Sequence, residues 1–245
     1  MCEWVDEMII LCSGMMRSAS TWSYNIARQV LLCGLSGQRA TVGVGYEEGE
    51  RLEKAIFDAS APNVYGIFKT HSMTNRVIQL INIGAVRNIF TIRDPRDAVL
   101  SRNRFVDETI ETSIARIKSS ILPAKHFAKS ATLFLRYDDI VNSPAAVIDA
   151  IAKHIDVELP VDVIDQLVDK NSRDNVELKV ANMECDSFSI DVPTGHKVDM
   201  LTGYHENHIT DGRTGGWKKS QYKKILKREM KEEVYFLGYK NEQTK

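Results

Sequence analysis

The sequence predicts an α/β fold in which a central parallel sheet is flanked by helices on both sides. Short, continuous apolar runs such as Met8–Cys12 recur along the chain, as expected of strands buried on both faces. Stretches of ten or more residues with helical spacing separate these runs, the alternation that parallel βαβ units require. No internal repeat or low-complexity tract interrupts the pattern over the 245 residues.

The elements follow in order. Met8–Cys12 is the first strand, and a polar turn of small residues leads to a helix from Trp22 to Leu35, stopped by Gly34 and Gly37. Gly45–Asn63 begins acidic, turns helical and is broken by Pro62. Val64–Phe68 is the second strand, Thr74–Ile83 a helix and Asn88–Ile92 the third strand. Pro95 then sits at the first turn of a helix with Asp94 as its N-cap. Helical patterns cover Arg96–Phe105 and Thr109–Lys129, and Thr132–Arg136 is a fourth strand. Ser143-Pro144 opens a further helix and Pro160 a shorter one. Residues 171–216 lack clear periodicity and are too long for an ordinary connection, so they form a functional lid or a partly mobile segment. Trp217–Tyr235 is amphipathic and starts a carboxyl-terminal helix and tail over 217–245. One domain is expected to span 1–245.

Composition narrows the function classes. An apolar fraction of 43% and a charged fraction of 27% are ordinary for a soluble globular protein. A net charge of -1 gives no general polyanion-binding surface, so any anion site is local. The lysines from Lys218 to Lys231 alternate with Glu229 and precede Glu232 and Glu233, which reads as a solvated helical face and not a nucleic-acid surface. No run approaches the ~18 apolar residues of a membrane span. Cys2, Cys12, Cys33 and Cys185 form no C-x-x-C and no pairing pattern, which fits a reducing compartment. Met1–Glu7 carries acids and no basic flank for a signal peptide, so a cytoplasmic location is expected.

Three segments place polar residues where ligands gather in such sheets, beyond the carboxyl ends of the strands. The first is Ser13–Trp22. A strand, a small-residue turn and a helix start expose free N–H groups and a helix dipole to an anion. A Walker A loop needs G-x-x-x-x-G-K-[ST]. Counted from Gly14, its second glycine is Ala19 and its lysine is Ser20, while a cation stands three residues earlier at Arg17. The alternative is a Ser/Thr-capped helix beside a surface arginine.

The second segment is Phe68-Lys69-Thr70-His71, where His71 leaves a strand beside a lysine and suits a general base next to a charge stabiliser. The third is Arg93 to Ser101, in which a guanidinium fork and a hydroxyl can both reach one phosphate. Arg96 and Asp97 are expected to form ordinary surface salt bridges. His205-x-x-His208 has ligand-like spacing, but no third ligand accompanies it, and no metal site is expected.

Together these segments resemble the sulfotransferase family. Its donor loop reads K/R-S-G-T-T-W, and Arg17-Ser18-Ala19-Ser20-Thr21-Trp22 is similar, with alanine for glycine. The family's K-T-H stands as Lys69-Thr70-His71. Its arginine and serine eight residues apart stand as Arg93 and Ser101, and its F/Y-Y-E-D tyrosine as Tyr137. Gly212-Arg213-Thr214-Gly215-Gly216-Trp217-Lys218 is similar to R-K-G-x-x-G-x-W-K/R, except that Thr210 and Asp211 replace the basic pair and Arg213 follows the glycine.

The resemblance implies a three-layer sandwich of the P-loop nucleotide hydrolase type. It implies transfer of a sulfuryl group from 3'-phosphoadenosine-5'-phosphosulfate (PAPS) to a hydroxyl or amine, with PAP as product and no metal. His71 is then the base, with Arg17 and Lys69 at the leaving oxygen. Arg17–Trp22 would cradle the 5'-phosphate, Arg93 and Ser101 the 3'-phosphate and Tyr137 the adenine, with Gly212 and Arg213 nearby. The acceptor is a small molecule or a carbohydrate. No assembly state is implied, because the carboxyl end shows no clear copy of the family's dimerisation motif. The competing readings are a P-loop nucleotide kinase, which Ser20 opposes, and an inactive nucleotide-binding module, which the retained Arg17, Lys69 and His71 oppose.

Overall fold

The computed structural model describes residues 8–35, 41–61, 64–182, 188–190, 197–199, 201–205 and 212–240. Pro62, His208, Thr210, Asp211, Cys2 and Cys185, used above, lie outside them.

Strand β1 (Met8–Gly14) runs down the middle of a five-stranded sheet and leads into helix α1 (Ser20–Gly34). There follow β2 (Thr41–Tyr46), α2 (Gly49–Asp58), β3 (Val64–Lys69), α3 (Asn75–Asn82), β4 (Arg87–Ile92), α4 (Pro95–Phe105), α5 (Ile110–Ile121) and β5 (Thr132–Arg136). The strands lie in the order β2-β3-β1-β4-β5, and every pair is parallel. Helices α6 (Tyr137–Asn142), α7 (Pro144–His154), α8 (Val161–Lys170) and α9 (Arg173–Ala181) come next. A small antiparallel pair, β6 (Phe188–Ile190) with β7 (Lys197–Asp199), precedes α10 (Lys223–Glu229) and α11 (Lys231–Phe236).

Alternation along the strands builds the layers. Leu11, Phe68 and Phe90 point to one face and pack with α2, α3, α4 and α5 side chains and with Trp217 and Leu226. Ile10, Cys12, Ile67 and Ile89 point to the other and pack with α1, α7 and α8. The sheet is therefore a three-layer sandwich with apolar contacts on both faces. That explains why its inner strands read as unbroken apolar runs.

Several elements depart from the sequence expectations, each for a local reason. Strand β2 went unread because Gly43 and Gly45 dilute its apolar pattern, and it lies on the sheet edge. The long helix expected over Thr109–Lys129 ends at Ile121 and tightens into a 3₁₀ turn over Leu122–His126. Pro123 has no N–H to continue the ladder. Within 171–216, α9 is capped by Ser172 but has only Val176 buried, so no apolar stripe announced it. Leu201 and Thr202 in that segment are held to α1, through Tyr24 Oη donating to the Leu201 carbonyl at 3.3 Å and Asn25 Nδ2 to that of Thr202 at 2.8 Å. Among the described residues no helix is long and apolar enough to cross a membrane.

Candidate active site

The carboxyl ends of β1, β3 and β4 converge, and each delivers one of the three polar segments. The β1 end is pressed against β4, where a Cβ on Gly14 would collide with the Thr91 hydroxyl. The Met15 amide donates to the Thr91 carbonyl at 3.1 Å. Fully buried Ser18 pins the loop from within, its Oγ donating to the Met15 carbonyl at 2.5 Å and lying 2.7 Å from Thr91 Oγ1. Arg17 and Ala19 both take left-handed backbone, with φ of 65° and 71°. Left-handed residues in such a loop turn neighbouring N–H groups to one side, the arrangement from which anion-binding concavities are built. No side chain caps α1, and its first turn carries no acid, so its positive end faces this loop uncompensated. The Ser20 and Thr21 side chains sit in that first turn, with Trp22 beside them.

Lys69 ends β3, 6% exposed, its Nζ 4.7 Å over the ring of Tyr46. Tyr46 donates in turn to Glu48 Oε1 at 2.6 Å and stands edge-on to His71 at 6.3 Å. The half-buried His71 ring lies with Nδ1 2.8 Å from the Gly14 carbonyl. A carbonyl only accepts, so Nδ1 carries the proton and Nε2 is left with a lone pair.

Arg17 Nε donates to Ser101 Oγ at 3.1 Å, and its guanidinium lies 4.6 Å over Phe105. The two sequence-predicted residues thus touch, although the resemblance places them at opposite ends of a nucleotide. Arg93, 4% exposed, bridges two loops, donating to the Arg17 carbonyl at 3.3 Å and the Arg213 carbonyl at 2.8 Å. It stacks 4.1 Å over Tyr137, whose hydroxyl donates to the Gly212 carbonyl at 3.3 Å. Gly212 has φ of 64°, and a Cβ there would sit 3.3 Å from that hydroxyl, so glycine suits it on both counts.

Asp97 corrects the sequence reading. It is buried and, among the described residues, pairs with no surface cation; its carboxylate accepts from the Gly215 amide at 2.6 Å and the Trp217 amide at 3.0 Å. Arg96 is buried too, paired with Asp94 at 2.7 Å and lying 3.8 Å over Trp217. Both therefore anchor the 212–217 segment to α4. A cavity of about 370 Å³ opens beside this anchor, lined by Arg93, Ser101, Arg104, Arg213 and Lys219 among others.

Crowded cations mark the site electrically. Burial, then Lys69, pushes His71 down to about 3. Burial lowers Lys69 to about 8, with Arg17 adding to the effect and Glu48 opposing it. Burial, then Arg93 and Arg102, brings Arg17 down to about 10. Such a set gains stability when an anion enters. Among the described residues no group of three or more His, Cys, Asp or Glu could hold a metal ion.

Sequence reasoning singled out none of Tyr46, Phe105, Arg104 and Lys219 individually, although Gly45–Asn63 and Arg102–Glu111 are segments it expects to shape the acceptor side, and it read Asp97 as a surface pair. Arg104 alone carried a usable signal, since it lies one helical turn beyond Ser101.

No protein-family model matches the chain, and no curated protein sequence is significantly similar to it. Solved structures do match. Retinol dehydratase in complex with retinol and PAP aligns with a TM-score of 0.60 at 15% identity, covering 98% of this chain and 83% of that one. The same enzyme with androsterone and inactive cofactor PAP gives 0.59 at 16% identity, covering 94% and 80%. Mouse sulfotransferase SULT7A1 with PAP gives 0.59 at 13% identity, covering 94% and 84%. At these identities the likeness is one of architecture, and this chain is built on the α/β fold that retinol dehydratase and the mouse sulfotransferase share.

Proposed function

We propose that the chain is a sulfotransferase, moving a sulfuryl group from PAPS to a hydroxyl or amine of a small-molecule or carbohydrate acceptor. One observation carries this reading. An uncapped helix start, Arg17, Lys69, a neutral His71 and Arg93 gather at one edge of a parallel sheet. The fold shared with two proteins crystallised with PAP supports it.

The residues fit a nucleotide with phosphates at both ends. Arg93 Nε is buried with no partner among the described residues, which leaves one charged N–H to be satisfied by an anion. Amides of the Arg17–Trp22 loop and the Ser20 and Thr21 hydroxyls would hold the 5'-phosphate, Ala19 contributing only backbone. Arg93 and Ser101 would hold the 3'-phosphate. Tyr137, under the Arg93 guanidinium, would flank the base, with Gly212 and Arg213 closing over it.

The donor supplies the sulfuryl group and a stable phosphate leaving group. His71 Nε2 takes the proton of the acceptor hydroxyl as the acceptor oxygen bonds to sulfur. The breaking S–O bond leaves its electron pair on the phosphate oxygen, where Lys69 and Arg17 stabilise the charge. The Gly14 carbonyl holds the imidazole in the tautomer that a base needs. With a pKa of about 3, His71 is neutral at physiological pH before any ligand arrives. The donor's anionic groups raise its basicity where the proton is taken. Arg17 must release Ser101 for each to serve its own end of the nucleotide. A cytoplasmic setting belongs to the same proposal, supported by the unpaired Cys12 and Cys33 thiols.

The test is transfer of labelled sulfate from PAPS to a broad acceptor panel, with calorimetry of PAP binding alongside. Sulfated product and PAP binding are expected. Undetectable PAP binding combined with tight magnesium–ATP binding would sink the assignment in favour of a kinase.

A further inference from the structure

The 370 Å³ cavity lies between one face of α4 and the turn at 212–220. Asp97, Ser101 and Arg104 stand four and then three residues apart on α4, so they share that face. From the opposite wall come Arg213 and Lys219, on a segment that the Asp97 carboxylate holds at 2.6 and 3.0 Å. Arg93 completes the lining, buried and with Nε unpartnered among the described residues. The cavity therefore collects four cationic side chains, Arg93, Arg104, Arg213 and Lys219, against the single carboxylate of Asp97. Both oxygens of that carboxylate accept from backbone amides. A volume at the small end of the ~300–1,000 Å³ usual for ligand pockets suits a phosphate with part of its ribose.

We propose that Arg104 and Lys219 bind the 3'-phosphate of the nucleotide and make the site selective for the bisphosphorylated form. They supply from a helix face and a 3₁₀ turn the charge that Thr210 and Asp211 do not. A phosphate monoester near neutrality carries close to two negative charges, which two added cations match better than the Arg93–Ser101 pair alone. This rests on the donor reading given under Proposed function.

Calorimetry with PAP and with AMP, which lacks the 3'-phosphate, tests it on wild type, Arg104→Met, Lys219→Met and the double variant. Wild type is expected to prefer PAP. Each single variant should lose about tenfold in PAP affinity and the double about a hundredfold, with AMP affinity within about twofold of wild type. Arg104→Lys and Lys219→Arg should keep most of the preference. Both side chains are exposed, so unchanged melting temperatures are expected and checked. Lys129→Met, an equal charge change away from the cavity, should bind PAP normally. Wild-type PAP affinity in the double variant overturns the proposal and leaves the sulfotransferase reading standing. Equal losses for PAP and AMP, or an equal loss in Lys129→Met, also overturn it. Failure of the wild type to bind either nucleotide removes the donor reading and this proposal together.

Discussion

Ala19→Gly should stabilise the protein without remaking the loop between β1 and α1. Ala19 is the N-cap of α1 and sits at φ 71°, ψ 28°, the left-handed region. Holding an L-residue there costs roughly 1–2 kcal/mol, which glycine does not incur. Against this, glycine widens the unfolded ensemble by about 0.4–1 kcal/mol. Ala19 is half-buried against the α1-side core, so its methyl adds a further loss of a few tenths of a kcal/mol. The net gain is about 0.5 kcal/mol, or roughly 1–2 °C in melting temperature for a chain of this size. Ala19→Val should move the other way by more than 1 kcal/mol, because a β-branched side chain tolerates the left-handed region poorly. Thermal melting of the three proteins at one pH gives the order Gly, Ala, Val. PAP affinity of Ala19→Gly should stay within about threefold of wild type, since the loop holds a glycine-like conformation before any ligand enters. A glycine variant that melts several degrees below wild type would refute the reasoning, because relief of strain could not then be the dominant effect.

His71→Ala should abolish sulfuryl transfer while leaving PAP affinity within a few-fold of wild type; a parallel loss of both would make His71 a structural or binding residue. PAP binding near pH 8 should take up protons, up to about 0.5 per site, because Lys69 titrates at about 8 and an incoming anion raises that value. Calorimetry in buffers of different ionisation enthalpy reads the uptake, which Lys69→Met should remove. His71 titrates near 3 in the folded chain and at its ordinary value when unfolded, so the unfolded state binds more protons between those values. Its contribution to stability is therefore lost as pH falls from about 6.5 towards 3, a slope absent from His71→Ala melting curves. Asp97→Ala should destabilise by about 2 kcal/mol or more, as two charge-assisted bonds to backbone amides are lost, and should weaken PAP binding with it.

The loop after β1 was legible because its determinants are local. The apolar run Met8–Cys12, the small residues after it and the whole of α1 to Gly34 lie within 27 consecutive residues of the chain. His71 and Arg93 were legible for a related reason, since each lies within two residues of the end of a strand that reads as a strand. What escaped depends on distance along the chain. Asp97 meets the amides of Gly215 and Trp217 across 118 and 120 residues, and no local pattern distinguishes that from an ion pair with a neighbouring arginine. Arg96, one residue earlier, does pair locally with Asp94, yet it is buried under the same tryptophan. Tyr46 escaped because the strand that delivers it is short, glycine-diluted and on the sheet edge.

Those long-range contacts bear on how the site works. Arg93 ties the loop after β1 to the carboxyl-terminal segment through the carbonyls of Arg17 and Arg213, while Asp97 and Arg96 hold that segment's other end to α4. The walls of the cavity are thus fixed by groups that do not depend on a ligand, which keeps the ordering cost of binding low. The cations at the carboxyl ends of β1 and β3 are the strained part. Lys69, Arg17 and His71 all bind protons less readily than usual because burial and neighbouring cations disfavour charge. Binding an anion there relieves a repulsion that folding has already imposed. In the transfer proposed above, negative charge growing on a leaving phosphate oxygen would increase that relief, so the repulsion that weakens the empty site would favour the transition state over the ground state.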